Sequence, residues 1–275
     1  MNRSPTHAPL SLNTVTVKEK WGLADCIEGC ARHGIPGISP WRDVLHAMGV
    51  DAAARAIRDA GLTVTGLCRG GMFPAPDAAG RAAAIEDNRR AIEEAHKLGA
   101  RGLVMVCGGL PAGSKDLPGA RAMVRDGLEA ILPEARAAGV TIALEPLHPM
   151  TCADRSVLST LGQALDLCEA LGEGMGVAVD VYHVWWDPDL AAQMARAKGR
   201  IAGFHACDWL VPTTDLVFDR GMPGDGVIDI AAIRRMAEAA GYDGFTEVEL
   251  LSRRWWAEEP DHVLRVMQER HAAIA

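Results

Sequence analysis

The chain has 275 residues, 49% of them hydrophobic, with 36 acidic against 28 basic side chains and a formal net charge of −8. That is enough apolar material for one large core, and the acidic balance argues against nucleic acid as a partner. No stretch approaches the roughly 20 apolar residues of a membrane span and the N-terminus has no apolar signal core, so a cytoplasmic protein without membrane contact is expected.

Residues 1–9 read as a flexible N-terminus and Leu10–Val17 as the first strand. From there one pattern recurs: a helical run rich in Ala, Arg and Glu closes on a glycine, and an apolar strand begins within a few residues. Gly34, Gly61, Gly99, Gly139, Gly172, Gly199 and Gly241 are the seven closing glycines. A glycine just past a helix supplies the left-handed conformation that stops it. Eight strands alternating with helices predict parallel pairing, and in about 250 residues that count is a closed (β/α)8 TIM barrel, one domain over 10–275. An open doubly wound sheet would carry a glycine-rich phosphate loop after its first strand, and none is there. The long connections 68–79, 108–119, 146–156, 181–189 and 208–227 all follow strands, which gathers them on one face of a barrel. Seven cysteines, an odd number, lie mostly in apolar patterns. Cys26 and Cys30 lack a second pair at zinc-site spacing, so all seven read as reduced packing residues.

The chemistry is concentrated around Gly176–Trp186, where an alternating apolar run stops at Asp180. Period-two alternation turns Ile142 and Leu144, Val177 and Val179, and Ala202 and Phe204 toward the helices. The opposite parity, ending in Glu145, Asp180 and His205, then faces the barrel axis. The last strand adds Glu247 and Glu249, which share a parity. Acids and an imidazole converging at one end of a lumen repel and desolvate one another, and no Lys or Arg stands at the matching strand ends. A divalent cation answers that demand. Carboxylates with one imidazole are mostly hard ligands, which points to Mn²⁺ first, then Mg²⁺ or Co²⁺, with Zn²⁺ admissible.

The sequence resembles the xylose-isomerase-like sugar isomerase/epimerase barrels, which include ketose 3-epimerases and inosose isomerases. The resemblance rests on Glu145-Pro, Asp180-x-x-His183, His205-x-x-Asp208, Pro223-Gly-Asp-Gly-Val-Ile-Asp and Gly241-Tyr-Asp-Gly through Glu249. It implies one metal held by Glu145, Asp180, His205 and Glu249, with Glu249 preferred to Glu247 by its distance from Gly244. It implies isomerisation or epimerisation of a small keto-sugar or keto-polyol through a metal-stabilised enediolate, with Glu145 and Glu249 moving the proton. His183 is the implied contact to substrate oxygen. The family's ketose 3-epimerases place an Arg six residues after the metal His, where this chain has Val211; Arg220 either substitutes or lies on the surface.

Three further residues, His148, Arg69 and Trp185, are candidates for substrate contact. His148, three residues past Glu145, reads as a general base in the cavity or a loop residue fixed between prolines. It also resembles metal-dependent lyases of the superfamily, C-glycoside deglycosidases among them. The alternative reaction is therefore elimination from a 3-oxo-sugar, inosose or dehydroshikimate-like substrate. Arg69 reads as an anchor for a carboxylate or hydroxyl, or as a salt bridge. Trp185 leads a late cluster with Trp186, Trp209, Trp255 and Trp256, from which sugar stacking and a homo-oligomer are expected. A three-zinc DNA-repair barrel would need more His and acid on the first four strands.

Overall fold

Leu10–Asn13 form the first strand (β1), and the chain then leaves the sheet. The Asn13 side chain accepts the N–H of Val15 at 3.1 Å and turns Thr14–Val17 into a 3-10 helix, so the expected strand Leu10–Val17 is cut short. The computed structural model describes residues 8–274; residues 1–7 of the segment expected to be flexible, and residue 275, lie outside the described residues. The further strands are β2 (Gly37–Ser39), β3 (Thr63–Val64), β4 (Leu67–Gly71), β5 (Gly102–Val106) and β6 (Thr141–Leu144). They continue with β7 (Met175–Asp180), β8 (Ile201–Ala206), β9 (Asp208–Trp209), β10 (Arg220–Gly221) and β11 (Thr246–Val248).

Nine segments pair in parallel in the order β3-β2-β1-β11-β8-β7-β6-β5-β4. β3 and β4 are two halves of the third predicted strand, one pairing with β2 and the other with β5. The seam is bridged by Thr65 N–H to Ile38 O at 3.0 Å and Cys68 N–H to Pro40 O at 2.9 Å. Eight strand positions thus close on themselves, giving the single-domain (β/α)8 barrel. All seven glycines read as helix stops have φ between 65° and 90°. No helix among the described residues is long and apolar enough to cross a membrane.

The two faces of the barrel wall differ in chemistry. Leu12, Ile38, Leu103, Ile142, Val177 and Phe204 point outward into the layer shared with the helices and are fully buried. Each such side chain contributes about 1.5–3 kcal/mol by leaving water. The lumen is narrow and lined by small groups: Cys68, Val104, Ala143 and Ala178 form one cluster against Trp41 and Ala202. Ala202 was expected to face the helices with Phe204. The β7–β8 ladder shifts register between Val177 and Ala178, pairing Ala178 with Gly203, so the simple alternation fails at that point. A Cβ at Gly203 would sit a tight 3.3 Å from His205 Nε2, so the missing side chain leaves room for the imidazole.

Candidate metal centre

The upper layer of the lumen is built by four neighbouring strands. Glu145 directly follows β6 and extends its ladder through its N–H to Met105 O at 3.1 Å. Asp180 ends β7, and its Oδ1 accepts the Tyr182 N–H at 2.9 Å, starting the short helix Val181–Val184. His205 lies within β8, level with Asp180. Glu249 follows β11 and is held by its N–H to Ala206 O at 3.3 Å. One ligand atom from each of Glu145, Asp180, His205 and Glu249 lies within 4.8 Å of every other, and all four residues are buried.

The imidazole orients this set. His205 Nδ1 lies 2.9 Å from Glu145 Oε1 and 3.7 Å from Glu249 Oε2, while Nε2 faces Glu247 Oε1 at 3.7 Å. Burial opposes charging of the ring, yet Glu247, Glu145 and Glu249 together hold it well above the usual histidine range. Glu247 sits one level down the strand, paired in register with His205. It accepts from Asn13 Nδ2 at 2.8 Å and from Thr65 Oγ1 at 2.8 Å. A carboxylate behind the far nitrogen of a histidine is the usual device for orienting a metal-ligating ring. Burial and the neighbouring Glu145 push Glu249 up to about 8.

Arg220 enters the lumen from outside the barrel. The antiparallel pair β9–β10 carries it, and Asp208 folds the connecting loop by accepting the N–H groups of Gly224 at 2.9 Å and Ile228 at 3.0 Å. Gly226 makes that fold possible, because a Cβ there would meet Trp209 O at 2.1 Å. The guanidinium is 2% exposed, which excludes the surface reading of Arg220. Its Nη1 donates to Asp180 Oδ2 at 2.8 Å and lies 3.6 Å from Glu249 Oε2, and the group covers the Tyr182 ring at 4.4 Å. The acids are thus not without a basic partner. Burial disfavours the Asp180 carboxylate, but Arg220, His183 and His205 more than offset it and its pKa falls. Once Glu249 gives up its proton, four carboxylates (Glu145, Asp180, Glu247 and Glu249) face two cationic groups, His205 and Arg220, which leaves two formal negative charges in a buried site. A hard divalent cation fits both that deficit and the oxygen-rich donor set.

His183 sits at the rim of the set and is buried. The backbone N–H of His148 donates to its Nδ1 at 3.0 Å, and burial keeps the ring neutral, so its proton is on Nε2. Nε2 lies 3.5 Å from Asp180 Oδ2 and 3.1 Å from Arg220 Nη2. Two donors therefore face each other there, an arrangement that an added oxygen acceptor would relieve.

An inner chamber of about 10 Å³ adjoins these groups, lined in part by Glu145, His183, Arg220 and Glu249. It shares Trp41, Arg69, Arg155 and Leu251 with an outer chamber of about 380 Å³. A larger cavity, about 630 Å³, lies at the N-terminal ends of β6, β7 and β8, and none of the acids lines it. Barrel chemistry is carried at the opposite, C-terminal face.

The structure brings Glu145, Asp180, His205, Glu249, His183 and Arg220 together and sets Arg69 beside them. It does not bring the His148 ring to the cavity: that ring stacks on Trp209 with centroids 4.9 Å apart and meets Trp186 edge-on at 5.7 Å. Trp185 lines a separate surface depression with Val227 and Met236. The late tryptophans are buried or half-buried within the chain and form no exposed cluster, which removes the ground on which a homo-oligomer was expected. Sequence reasoning missed Trp41, Arg155, Asn13 and Thr65. Asn13 was legible in principle, since Ser11 and Asn13 alternate with Leu10 and Leu12. Arg155 lies in the loop after β6 and carries no local signal.

Residues 27–270 match the family model described as xylose isomerase-like TIM barrel. Among solved structures, the protein SMc04130 from Sinorhizobium meliloti 1021 is 57% identical, with a TM-score of 0.96 over 97% of this chain and 98% of its own. The IolI protein, solved with a bound zinc atom, is 20% identical with a TM-score of 0.83 over 97% of each chain. The 3-keto-D-glucoside 4-epimerase YcjR from E. coli is 20% identical, with a TM-score of 0.77 over 97% of this chain and 98% of its own. A search of curated proteins returns no match to this chain.

Proposed function

The chain belongs to the xylose isomerase-like TIM-barrel family, and from that premise we propose that it is a divalent-metal-dependent isomerase or epimerase of a small keto-sugar or keto-polyol. The observation that carries the reading is the buried set Glu145, Asp180, His205 and Glu249, whose ligand atoms converge within 4.8 Å. The names of two structures of the same fold, one with zinc and one a keto-sugar epimerase, support it. The four residues would hold the ion, His205 through Nδ1, with Mn²⁺ the expected metal. When bound, such an ion supplies Lewis-acid stabilisation of negative charge on adjacent substrate oxygens.

The protein's own groups supply the rest. Glu145 and Glu249 are the candidates to remove and return a proton at the carbon beside the carbonyl. Glu249, held near neutrality, suits that exchange. His183 Nε2–H and Arg220 Nη2–H are the donors for a substrate oxygen, and the His148 backbone fixes the tautomer that makes His183 a donor there. The inner chamber holds no more than a water, so a substrate reaches the acids with its reacting end while its body lies in the outer chamber.

The test is a panel of keto-sugars and keto-polyols incubated with the Mn²⁺-loaded protein in heavy water. The expected product has the substrate's composition and one solvent deuteron at the carbon beside the carbonyl. Release of a leaving group would instead assign the protein to the lyases.

A further inference from the structure

We propose that the substrate carries an oxyanion, a carboxylate or a phosphate ester, at the end remote from its carbonyl, and that Arg69 and Arg155 bind it in the outer chamber. The orientation rests on the keto-sugar reading above; the anion site itself does not. Three cations line this chamber, Lys18, Arg69 and Arg155, and no acidic residue does. In a chain whose acids outnumber its bases by 36 to 28, that distribution runs against the background.

The two arginines are also unspent. Several other part-buried or buried arginines are paired, Arg42 with Asp87 and Glu94, Arg196 with Asp166 and Glu169, Arg234 with Glu238, while Arg121 and Arg200 donate to backbone carbonyls. Arg69 and Arg155, both half-buried, make no side-chain hydrogen bond or ion pair among the described residues. Burial and the nearby charges of Arg220 and Arg69 depress the Arg155 pKa, and the acids Glu145 and Glu249 offset them only in part. Guanidinium forks match carboxylate and phosphate oxygens in pairs, and a partly desolvated guanidinium is costly until something fills that role.

Local structure shows how the site is built. β4 has a bulge: Cys68 pairs with Val104 and Gly70 with Met105, so Arg69 is the inserted residue. A bulge re-aims a side chain, and here it lets Arg69 and the preceding Cys68 both line the cavity side of the wall. Trp41 lines both chambers, and its buried indole N–H has no hydrogen-bond partner among the described residues, leaving one more donor beside the two arginines. Lys18 completes the rim, its ammonium 4.2 Å over the Trp256 ring and 3.8 Å from Glu19. A metal-holding inner end and a cationic outer chamber would orient a substrate with its carbonyl inward and its anion outward.

Three six-carbon probes without a carbonyl separate binding from turnover: neutral D-glucitol, D-gluconate and D-glucitol 6-phosphate. Calorimetric titration into the Mn²⁺-loaded protein is expected to show at least one anion binding about tenfold or more tighter than glucitol. Whichever anion binds tighter identifies the carboxylate or the phosphate. Arg155→Gln and Arg69→Gln should each remove most of that preference and leave glucitol unchanged, while Arg155→Lys restores part of it. Unaltered melting temperatures would show that the variants fold. Equal or absent binding of all three probes, or a preference that survives both Gln substitutions, overturns the proposal. Anion preference without turnover of any keto-sugar would sink the proposed reaction alone, and turnover without anion preference would sink the anion site alone.

Discussion

The two chambers of this barrel are made by opposite means. The inner one is a layer of strand ends, in which Glu145, Asp180, His205 and Glu249 are fixed by the ladder and by one another. The outer one is assembled from a bulge, four loops and a 3-10 segment, and its cations Arg69 and Arg155 make no side-chain hydrogen bond or ion pair among the described residues. Groups that must meet a small ion need backbone-level placement, and sheet register supplies it. Groups that must meet a variable substrate end need only the right charge, and loops suffice. Arg220 joins the two regimes: it is delivered by a loop, yet locked by Asp180 and by the Tyr182 ring.

The hardest blow to the inner chamber is Asp180→Asn. It keeps the acceptor for the Tyr182 N–H while removing the charge, so metal content by mass spectrometry and turnover should fall to background together. Retained activity would break the contrast, because the inner layer would then be only a charge network. Glu249→Gln, assayed at saturating Mn²⁺, should lower kcat by about 10²–10⁴ with KM little changed, as expected for a lost proton-transfer group. A KM effect alone would move Glu249 from chemistry to substrate binding.

The pH dependence of metal uptake sharpens the same point. Without metal, Glu249 keeps its proton up to about pH 8 and His205 is also held protonated by its acids. A metal must displace those protons. Apparent affinity should therefore rise with pH toward about 8, by about tenfold per unit for each proton released. Titrations in buffers of different ionisation enthalpy count the protons; none released would contradict the picture of crowded, proton-sharing ligands. The smallest expected effect is that of Thr65→Val, which takes one donor from Glu247 and loosens the support behind His205. Metal affinity should drop about tenfold, the low end for such outer partners.

How much of this was readable in advance follows the same division. Alternation along β6 and β7 is strict, so the inward parity of Glu145 and Asp180 was legible from the residues alone. It failed at Ala202, where a register shift breaks the period, and at Leu10–Val17, where the Asn13 side chain competes for a backbone N–H. Arg69 was visible as a candidate, but the bulge that aims it was not. Arg155 was invisible, because its position depends on how the loop after β6 folds over the barrel rather than on any local pattern. The distinction between Glu247 and Glu249 also needed three dimensions: they share a parity, and only the barrel's layering separates the residue beside Thr65 from the one in the acid set.

Anomalous diffraction from crystals grown with Mn²⁺ is the sharpest test of one divalent ion held by these four side chains. A single strong peak is expected in coordinating contact with Glu145, Asp180, His205 Nδ1 and Glu249, absent in crystals of Asp180→Asn. A peak elsewhere in the molecule, or none with the four side chains in place, would contradict it.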